Sequence, residues 1–122
     1  MKHLAVTFAL ATALGATPAT ADELDADALI RAYDTATAQQ KAAIEQTVLT
    51  AENAFREANA VIVAQRNEVA LYCLPVNVLT GKQLIEMVRI EVGRANFLGK
   101  YGFELSLLHA LQSAFPCPSP SP

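Results

Sequence analysis

The sequence lacks the motifs by which most enzymes and cofactor-binding proteins are recognised. It contains no glycine-rich phosphate loop, no His-Glu-x-x-His pair and no Ser or Cys motif that marks a nucleophile. Its two histidines are His3, near the N terminus, and His109, and a catalytic base needs a nucleophile and an orienting group within reach. We therefore interpret His109 as a structural or surface imidazole. We expect the protein not to be an enzyme and to need no cofactor.

Positive charge is also scarce. Lys plus Arg number 9 against 12 Asp plus Glu, which gives a formal net charge of −3. A mildly acidic surface does not attract nucleic acid or anionic lipid, so we expect neither as a partner. The acidic cluster at 22–27 lacks the turn Gly and the closing Glu of a calcium loop, and its charges suit the positive end of a helix. We therefore predict helix capping there rather than a metal site.

Only one uncharged apolar run is long, and it lies at the N terminus. It extends from Leu4 to about Ala16, follows the charge of Lys2 and precedes the small residues Ala-Thr-Ala at 19–21. This order is typical of a secretory signal peptide, and the run is shorter than the roughly twenty residues of a membrane-spanning helix. We predict a signal peptide at 1–21 and a periplasmic or secreted protein without stable membrane insertion. A buried N-terminal helix is the alternative, but it would need a polar face.

The residues that follow suffice for one domain, and their pattern is helical. Helices are predicted at 26–33, at 38–65, from Thr80 to a stop between 93 and 97, and at 103–114, and no segment is typical of a strand. We therefore predict an all-α, single-domain bundle of about four helices at 22–117. The alternating Pro and Ser of 118–122 predict a disordered, extended tail.

The chain has two cysteines, Cys73 and Cys117. In an oxidising compartment an even pair in a small domain is most simply a disulfide. Closing a loop of this length stabilises a fold by about 4 kcal/mol on the chain-entropy estimate. A redox-active or metal-binding pair is the alternative, but the two residues lack the Cys-x-x-Cys spacing of such sites.

The second helix has the clearest periodicity. Six apolar residues repeat with steps of four and three, whereas Glu45 and Glu52 lie away from that side. Such a stripe is usually core, and a seam for a partner or a second copy of the chain is the alternative. The stripe comprises Ile44, Val48, Ala51, Phe55, Ala58 and Ile62.

The helices also carry paired carboxylates on sides that we expect to be solvated. These pairs are Glu52 with Glu57 and Glu86 with Glu91.

The third helix begins with the strongest local signal. Thr80 is placed as its N-cap, Gln83 completes a capping box, and Leu79 with Leu84 is placed as a hydrophobic staple. Helical spacing predicts an apolar side on each of the last two helices. In the third helix it comprises Leu84, Val88 and Val92, widened by Met87 and Ile90; in the fourth it comprises Leu105, Leu108, Leu111 and Phe115.

Five motifs in the second half of the chain are fairly specific in combination. They are Glu52-Asn53-Ala54, Ala58-Asn59-Ala60, Leu71-Tyr72-Cys73-Leu74-Pro75, Leu79-Thr80-x-x-Gln83-Leu84 and Ala110-Leu111-x-x-Ala114-Phe115-Pro116-Cys117-Pro118. Together they resemble the Rap/Tai immunity proteins of type VI secretion systems, over residues 52–118. The N-terminal half departs from that pattern, because it lacks the additional cysteines that members often carry.

The resemblance implies a small helical periplasmic protein that binds a peptidoglycan amidase toxin injected by neighbouring cells and blocks its active site. Loops on a rigid helical frame commonly carry recognition, and an exposed Tyr often anchors an interface. We therefore place the partner contact at Asn96, Phe97, Lys100 and Tyr101. An ordinary connector is the alternative reading of this stretch.

Two other functions fit the same composition. One is a periplasmic acid-stress chaperone of the Hde type, since the chain becomes strongly positive when its carboxylates protonate near pH 3. The other is an envelope protein of unassigned role that self-associates, as a homodimer for example, through the stripe of the second helix. Broad client binding in acid would indicate the first, and stable self-association the second.

Overall fold

The computed structural model describes residues 24–66, 68–73 and 78–118. The predicted signal peptide and residues 119–122 of the predicted tail lie outside the described residues. Four α-helices lie within these ranges: α1 (Ala26–Thr35), α2 (Ala38–Arg66), α3 (Gly81–Arg94) and α4 (Phe103–Ala114). The described residues form no strand, only an isolated bridge between Asp25 and Gly102. The prediction of a small all-α fold with four helices is therefore confirmed.

The boundaries of the helices follow from local side-chain chemistry. Asp25 caps α1, since its carboxylate accepts a hydrogen bond from the amide of Ala28 at 2.6 Å. The capping box of α3 is confirmed: the Thr80 hydroxyl accepts from the Gln83 amide at 3.1 Å, and the Gln83 side chain accepts from the Thr80 amide at 2.8 Å. These bonds satisfy backbone donors that a helix start leaves without a partner.

A second reciprocal pair at the start of α2 was not predicted. The Thr37 hydroxyl accepts from the Gln40 amide at 3.3 Å, and the Gln40 side chain accepts from the Thr37 amide at 2.9 Å. The same Thr-x-x-Gln spacing could have identified it in the sequence. The two capping boxes begin α2 and α3, and these two helices take part in most of the contacts between elements.

The core lies where α3 packs against α1, α2 and α4. In α3, Leu84 and Val88 are buried as predicted, but Ile85 is buried as well and Ile90 is exposed. The prediction that Ile90 faces inward is therefore wrong. Because α3 has helices around it, its buried surface is wider than one stripe and includes neighbours in sequence. Periodicity alone does not show which neighbours cover a helix.

The inward side of α4 also differs from the prediction. Leu111 is buried as predicted, but Leu105 is exposed, and the buried positions include Ser106 and Leu107. Leu108 and Phe115 pack only partly buried against the core. Apolar residues occur on most sides of this helix, so its spacing was compatible with more than one inward side.

The stripe of α2 is core over its first half. Val48 is buried, and Ile44, Ala51 and Phe55 pack partly buried against the core, whereas Ala58 is exposed. The expectation that Glu52 is solvated is wrong, because Glu52 is only 2% exposed. Its carboxylate is paired with the guanidinium of Arg56, one turn later on the same helix. The ion pair offsets part of the cost of burying this carboxylate, and hydrophobic periodicity does not register such a partner.

The helices α2 and α3 approach closely at Gly81. A Cβ atom at this position would lie 2.6 Å from the Cβ atom of Glu45 and 2.7 Å from its carbonyl oxygen. No side chain larger than hydrogen fits there without moving one helix. By contrast, a Cβ atom at Gly93, near the other end of α3, would meet nothing within 4 Å.

These two glycines give a matched pair of substitutions in one helix. Gly93→Ala is expected to raise the free energy of unfolding by about 0.5 to 1 kcal/mol, because alanine favours the helix. Gly81→Ala gains the same helix propensity, but overpacking against α2 should lower the free energy of unfolding by about 1 to 3 kcal/mol. Urea unfolding followed by circular dichroism measures both. Equal effects of the two substitutions would show that the helices separate freely at Gly81.

The predicted disulfide joins Cys73 to Cys117, and the two Cα atoms are 4.8 Å apart. It connects the segment after α2 to the segment after α4. The amide of Cys73 also donates to the carbonyl of Phe115 at 2.8 Å. The covalent link and the hydrogen bond hold the same two segments together.

Within the described ranges, none of the helices combines the length and the hydropathy that crossing a bilayer would require.

Candidate protein-binding surface

The segment 96–101, here called the aromatic turn, joins α3 to α4. Residues Asn96–Lys100 form a 3₁₀ helix, which was not predicted because five residues are too short to show a periodicity. Leu98 and Gly99 face inward and are buried, and the hydroxyl of Ser106 on α4 donates to the carbonyl of Leu98 at 2.7 Å. The turn is therefore anchored from beneath by α4.

The start of α1 fixes the other side of the aromatic turn. The amide of Ala26 donates to the carbonyl of Tyr101 at 3.1 Å, and the amide of Phe103 donates to the carbonyl of Leu24 at 3.0 Å. Gly99 lies so close to α1 that a Cβ atom there would collide with the carboxyl group of Asp27. These contacts leave the backbone of the turn little freedom.

All four residues predicted to contact a partner lie on the exposed side of the aromatic turn. Phe97 is 62% exposed and Tyr101 is 51% exposed, and their rings stack edge to face with centroids 6.1 Å apart. Asn96 and Lys100 are exposed beside them, and the Lys100 ammonium lies 3.4 Å from a carboxylate oxygen of Asp27. The structure thus brings the four side chains onto one turn, and their contact with a partner stays a prediction.

Sequence reasoning missed a second feature, a groove of about 480 Å³ between the later half of α2 and the segment 70–73. Its walls include Arg56, Ala60 and Val63 on α2. At its base the side chain of Asn59 accepts from the amide of Leu71 at 2.8 Å and donates to the carbonyl of Tyr72 at 3.2 Å. Asn59 therefore clamps this segment to α2, as a buried amide must bond both its donor and its acceptor.

Tyr72 lies below the groove and is only 1% exposed. Its hydroxyl has no hydrogen-bond partner among the described residues. Burial, with a further contribution from the charge of Glu52, raises the pKa of Tyr72 to about 12. The neutral phenol is thus the form that the folded protein holds.

The substitution Tyr72→Phe tests this environment. At neutral pH it should raise the free energy of unfolding by about 1 kcal/mol, because an unpaired hydroxyl leaves the core. In the parent protein stability should be intact below pH 10 and fall by about 2 kcal/mol as the pH approaches 12, since the unfolded chain loses the phenolic proton first. The variant should lack that loss. Urea unfolding at pH 7 and pH 11 measures both effects, and a less stable variant at pH 7 would contradict them.

The histidine and the paired carboxylates singled out in the sequence do not come together in one site. His109 is half-buried on α4. Glu57 and Glu86 are exposed as expected, whereas Glu91 is buried, so the expectation of a solvated Glu91 is wrong. Over 24–66, 68–73 and 78–118, no three His, Cys, Asp or Glu side chains are grouped so that they could hold a metal ion.

No protein-family model, curated protein or solved structure matches this chain.

Proposed function

We propose that the protein binds another protein through the aromatic turn, and that its role is that of an exported inhibitor of a peptidoglycan amidase. The observation that carries the binding role is the exposed pair of Phe97 and Tyr101 on an anchored backbone. Large aromatic side chains bury much apolar area when a partner covers them. They are also enriched among the residues that contribute most of the binding energy at interfaces. A turn that is already ordered loses little entropy when a partner binds.

The inhibitory role is supported by the resemblance to the Rap/Tai immunity proteins. The signal-peptide pattern at 1–21 supports export to the compartment in which a peptidoglycan amidase acts. The disulfide between Cys73 and Cys117 is consistent with an oxidising compartment. On this proposal Phe97 and Tyr101 form the apolar centre of the contact, and Asn96 and Lys100 form its polar edge.

Affinity capture tests the proposal. The tagged protein is incubated with envelope and supernatant extracts at neutral pH, and bound proteins are identified by mass spectrometry. We expect one stoichiometric peptidoglycan amidase, whose hydrolysis of purified peptidoglycan the added protein then inhibits. Capture of no amidase, or of one that stays fully active in the complex, would contradict the inhibitory role.

Substitutions in the aromatic turn separate binding from folding. Phe97→Ser and Tyr101→Ser should each weaken amidase binding about thirtyfold or more, as expected for the central residues of an interface. Val61→Ser is the matched control, because Val61 is also an exposed apolar residue but lies on α2. It should leave binding unchanged. Equal affinities for all three variants, with unaltered circular dichroism, would place the contact elsewhere.

A second candidate function is the acid-stress chaperone, and one ion pair favours it. Arg89 on α3 donates to both carboxylate oxygens of Asp34 on α1, at 2.9 and 2.6 Å. This pairing lowers the pKa of Asp34 below its usual 3.8. Its contribution to stability is therefore present above the unfolded pKa and is lost as the pH falls through the folded pKa. Below about pH 4, α1 should be held less firmly to α3.

The same affinity capture, repeated near pH 3, distinguishes the two candidates. Many unrelated proteins held only in acid would favour the chaperone. Asp34→Asn removes the charge at every pH. Whichever function is correct, the free energy of unfolding of this variant should fall less than that of the parent protein as the pH is lowered.

A further inference from the structure

We propose that the cleft between α3 and α4 is a slot for one basic side chain of a protein ligand, with the carboxylate of Glu91 as its acceptor. The cleft has a volume of about 160 Å³. Sites for small molecules usually enclose about 300 to 1,000 Å³. This cleft is too small for such a ligand, but its size suits a single side chain.

A buried carboxylate forms one wall of the slot. Glu91 is only 8% exposed, and its Oε1 atom accepts a hydrogen bond from the hydroxyl of Ser113 on α4 at 3.0 Å. The Oε2 atom lies 3.5 Å from the nearest guanidinium nitrogen of Arg94, at the outer limit of a hydrogen bond. An ionised carboxylate accepts about four hydrogen bonds. Glu91 therefore retains capacity for a cationic donor that enters the cleft.

Arg94 neutralises Glu91 only weakly. Arg94 lines the mouth of the cleft, and its side chain is 66% exposed to water. A contact of 3.5 Å from a mostly exposed cation contributes little, and the Arg94 side chain is free to move aside. An arginine or lysine from a ligand would replace a long contact with a charge-assisted hydrogen bond.

The remaining walls are apolar. Met87 and Ile90 line the cleft on α3, and Ala110 and Ala114 line it on α4. Such walls suit the methylene stem of an arginine or lysine, whose charged end would reach Glu91. The small alanines also explain the gap, because larger residues there would fill it. An acidic side chain is excluded by repulsion, and a neutral one would leave the carboxylate poorly paired.

The slot adjoins the aromatic turn. Arg94 at its mouth precedes Asn96 by two residues, and the 3₁₀ helix packs against α3. That the occupant belongs to a protein rests on the proposed function. The preference for a cation rests on Glu91 and the cleft, and can be tested without the partner.

The probe is the capped tripeptide Gly-Arg-Gly, compared with Gly-citrulline-Gly, which has the same shape and no charge. Each is titrated into the purified protein, and binding is followed by NMR through the methyl group of Met87 and the amide of Ser113. We expect the arginine peptide to bind about tenfold or more tightly than the citrulline peptide, because only the former makes a charge-assisted bond. Equal shifts with both peptides, or no shift with either, would overturn the proposal.

Two variants complete the test. Glu91→Gln should weaken binding of the arginine peptide to the level of the citrulline peptide, whereas Glu104→Gln, an exposed carboxylate on α4, should not. If Glu91→Gln does not fold, the difference in affinity between the two peptides for the parent protein still tests the proposal. Loss of amidase capture with a functional slot would contradict the inhibitory role alone. Amidase capture with an inert slot would contradict the slot alone.

Discussion

Replacing Cys73 and Cys117 together by serine is expected to lower the free energy of unfolding by about 4 kcal/mol. The two residues are 44 positions apart, so the bond removes a large loop from the unfolded ensemble. A loss of this size is a large share of the roughly 5 to 15 kcal/mol that stabilises a typical domain. Urea unfolding of the parent protein and of the double variant measures it.

The control for this prediction is chemical. Dithiothreitol should destabilise the parent protein by the same amount and leave the double variant unchanged. Non-covalent contacts also hold the bridged segments, since the side chain of Gln112 donates to the carbonyl of Leu71 at 3.3 Å. A loss below about 1 kcal/mol would mean that contacts of this kind, rather than the covalent bond, hold segment 68–73 in place.

Replacing Arg56 by alanine is expected to cost about 3 kcal/mol, because it leaves the carboxylate of Glu52 buried without its partner. The side chain of Glu52 is only 3% exposed, and that of Arg56 is 28% exposed. Thermal and urea unfolding measure the loss.

Arg66→Ala is the matched control, because Arg66 is an exposed arginine at the end of the same helix. It should change stability by less than about 0.5 kcal/mol. Replacing both Glu52 and Arg56 by methionine should restore most of the lost stability, since no buried charge remains. Equal losses for Arg56→Ala and Arg66→Ala would show that Glu52 reaches water when its partner is removed.

Four residues of the motifs in the second half of the chain stabilise the fold. Asn59 clamps the segment after α2, Thr80 and Gln83 form the capping box, and Cys117 closes the disulfide. None of them lies on the exposed side of the aromatic turn. These four residues link the resemblance to folding, and on the proposed function the partner would contact side chains that those motifs do not include. This is why affinity capture is the decisive test of the inhibitory role.

Local chemistry made the helices predictable. Helix starts depend on side chains within three residues, as at Thr80 and Gln83, and the start and end of α4 agree with the prediction at 103–114. The cysteine pairing followed from there being only two. The location of Asn96, Phe97, Lys100 and Tyr101 on an exposed segment also followed from their place between two helices.

The environments of Glu52, Glu91 and Tyr72 could not be predicted in this way. Each of these side chains is buried and keeps a polar group in the interior, and the hydroxyl that bonds Glu91 belongs to Ser113, 22 positions away on α4. The close approach of α1 to Gly99 also depends on tertiary packing, since a Cβ atom there would meet the carboxyl group of Asp27. Hydrophobic patterning assigns a carboxylate to the surface, because it does not register a compensating partner.

The sequence by itself determined the helical segments, the capping box of α3, the disulfide and the position of the exposed turn, since these depend on neighbours in the chain or on a single available pairing. Only the tertiary structure decided which sides of α3 and α4 face inward, that Asp27 and Ser106 flank the aromatic turn, and that Glu91 lines a cleft. The physical reason is that burial and hydrogen bonding between helices depend on their packing, which local spacing does not specify.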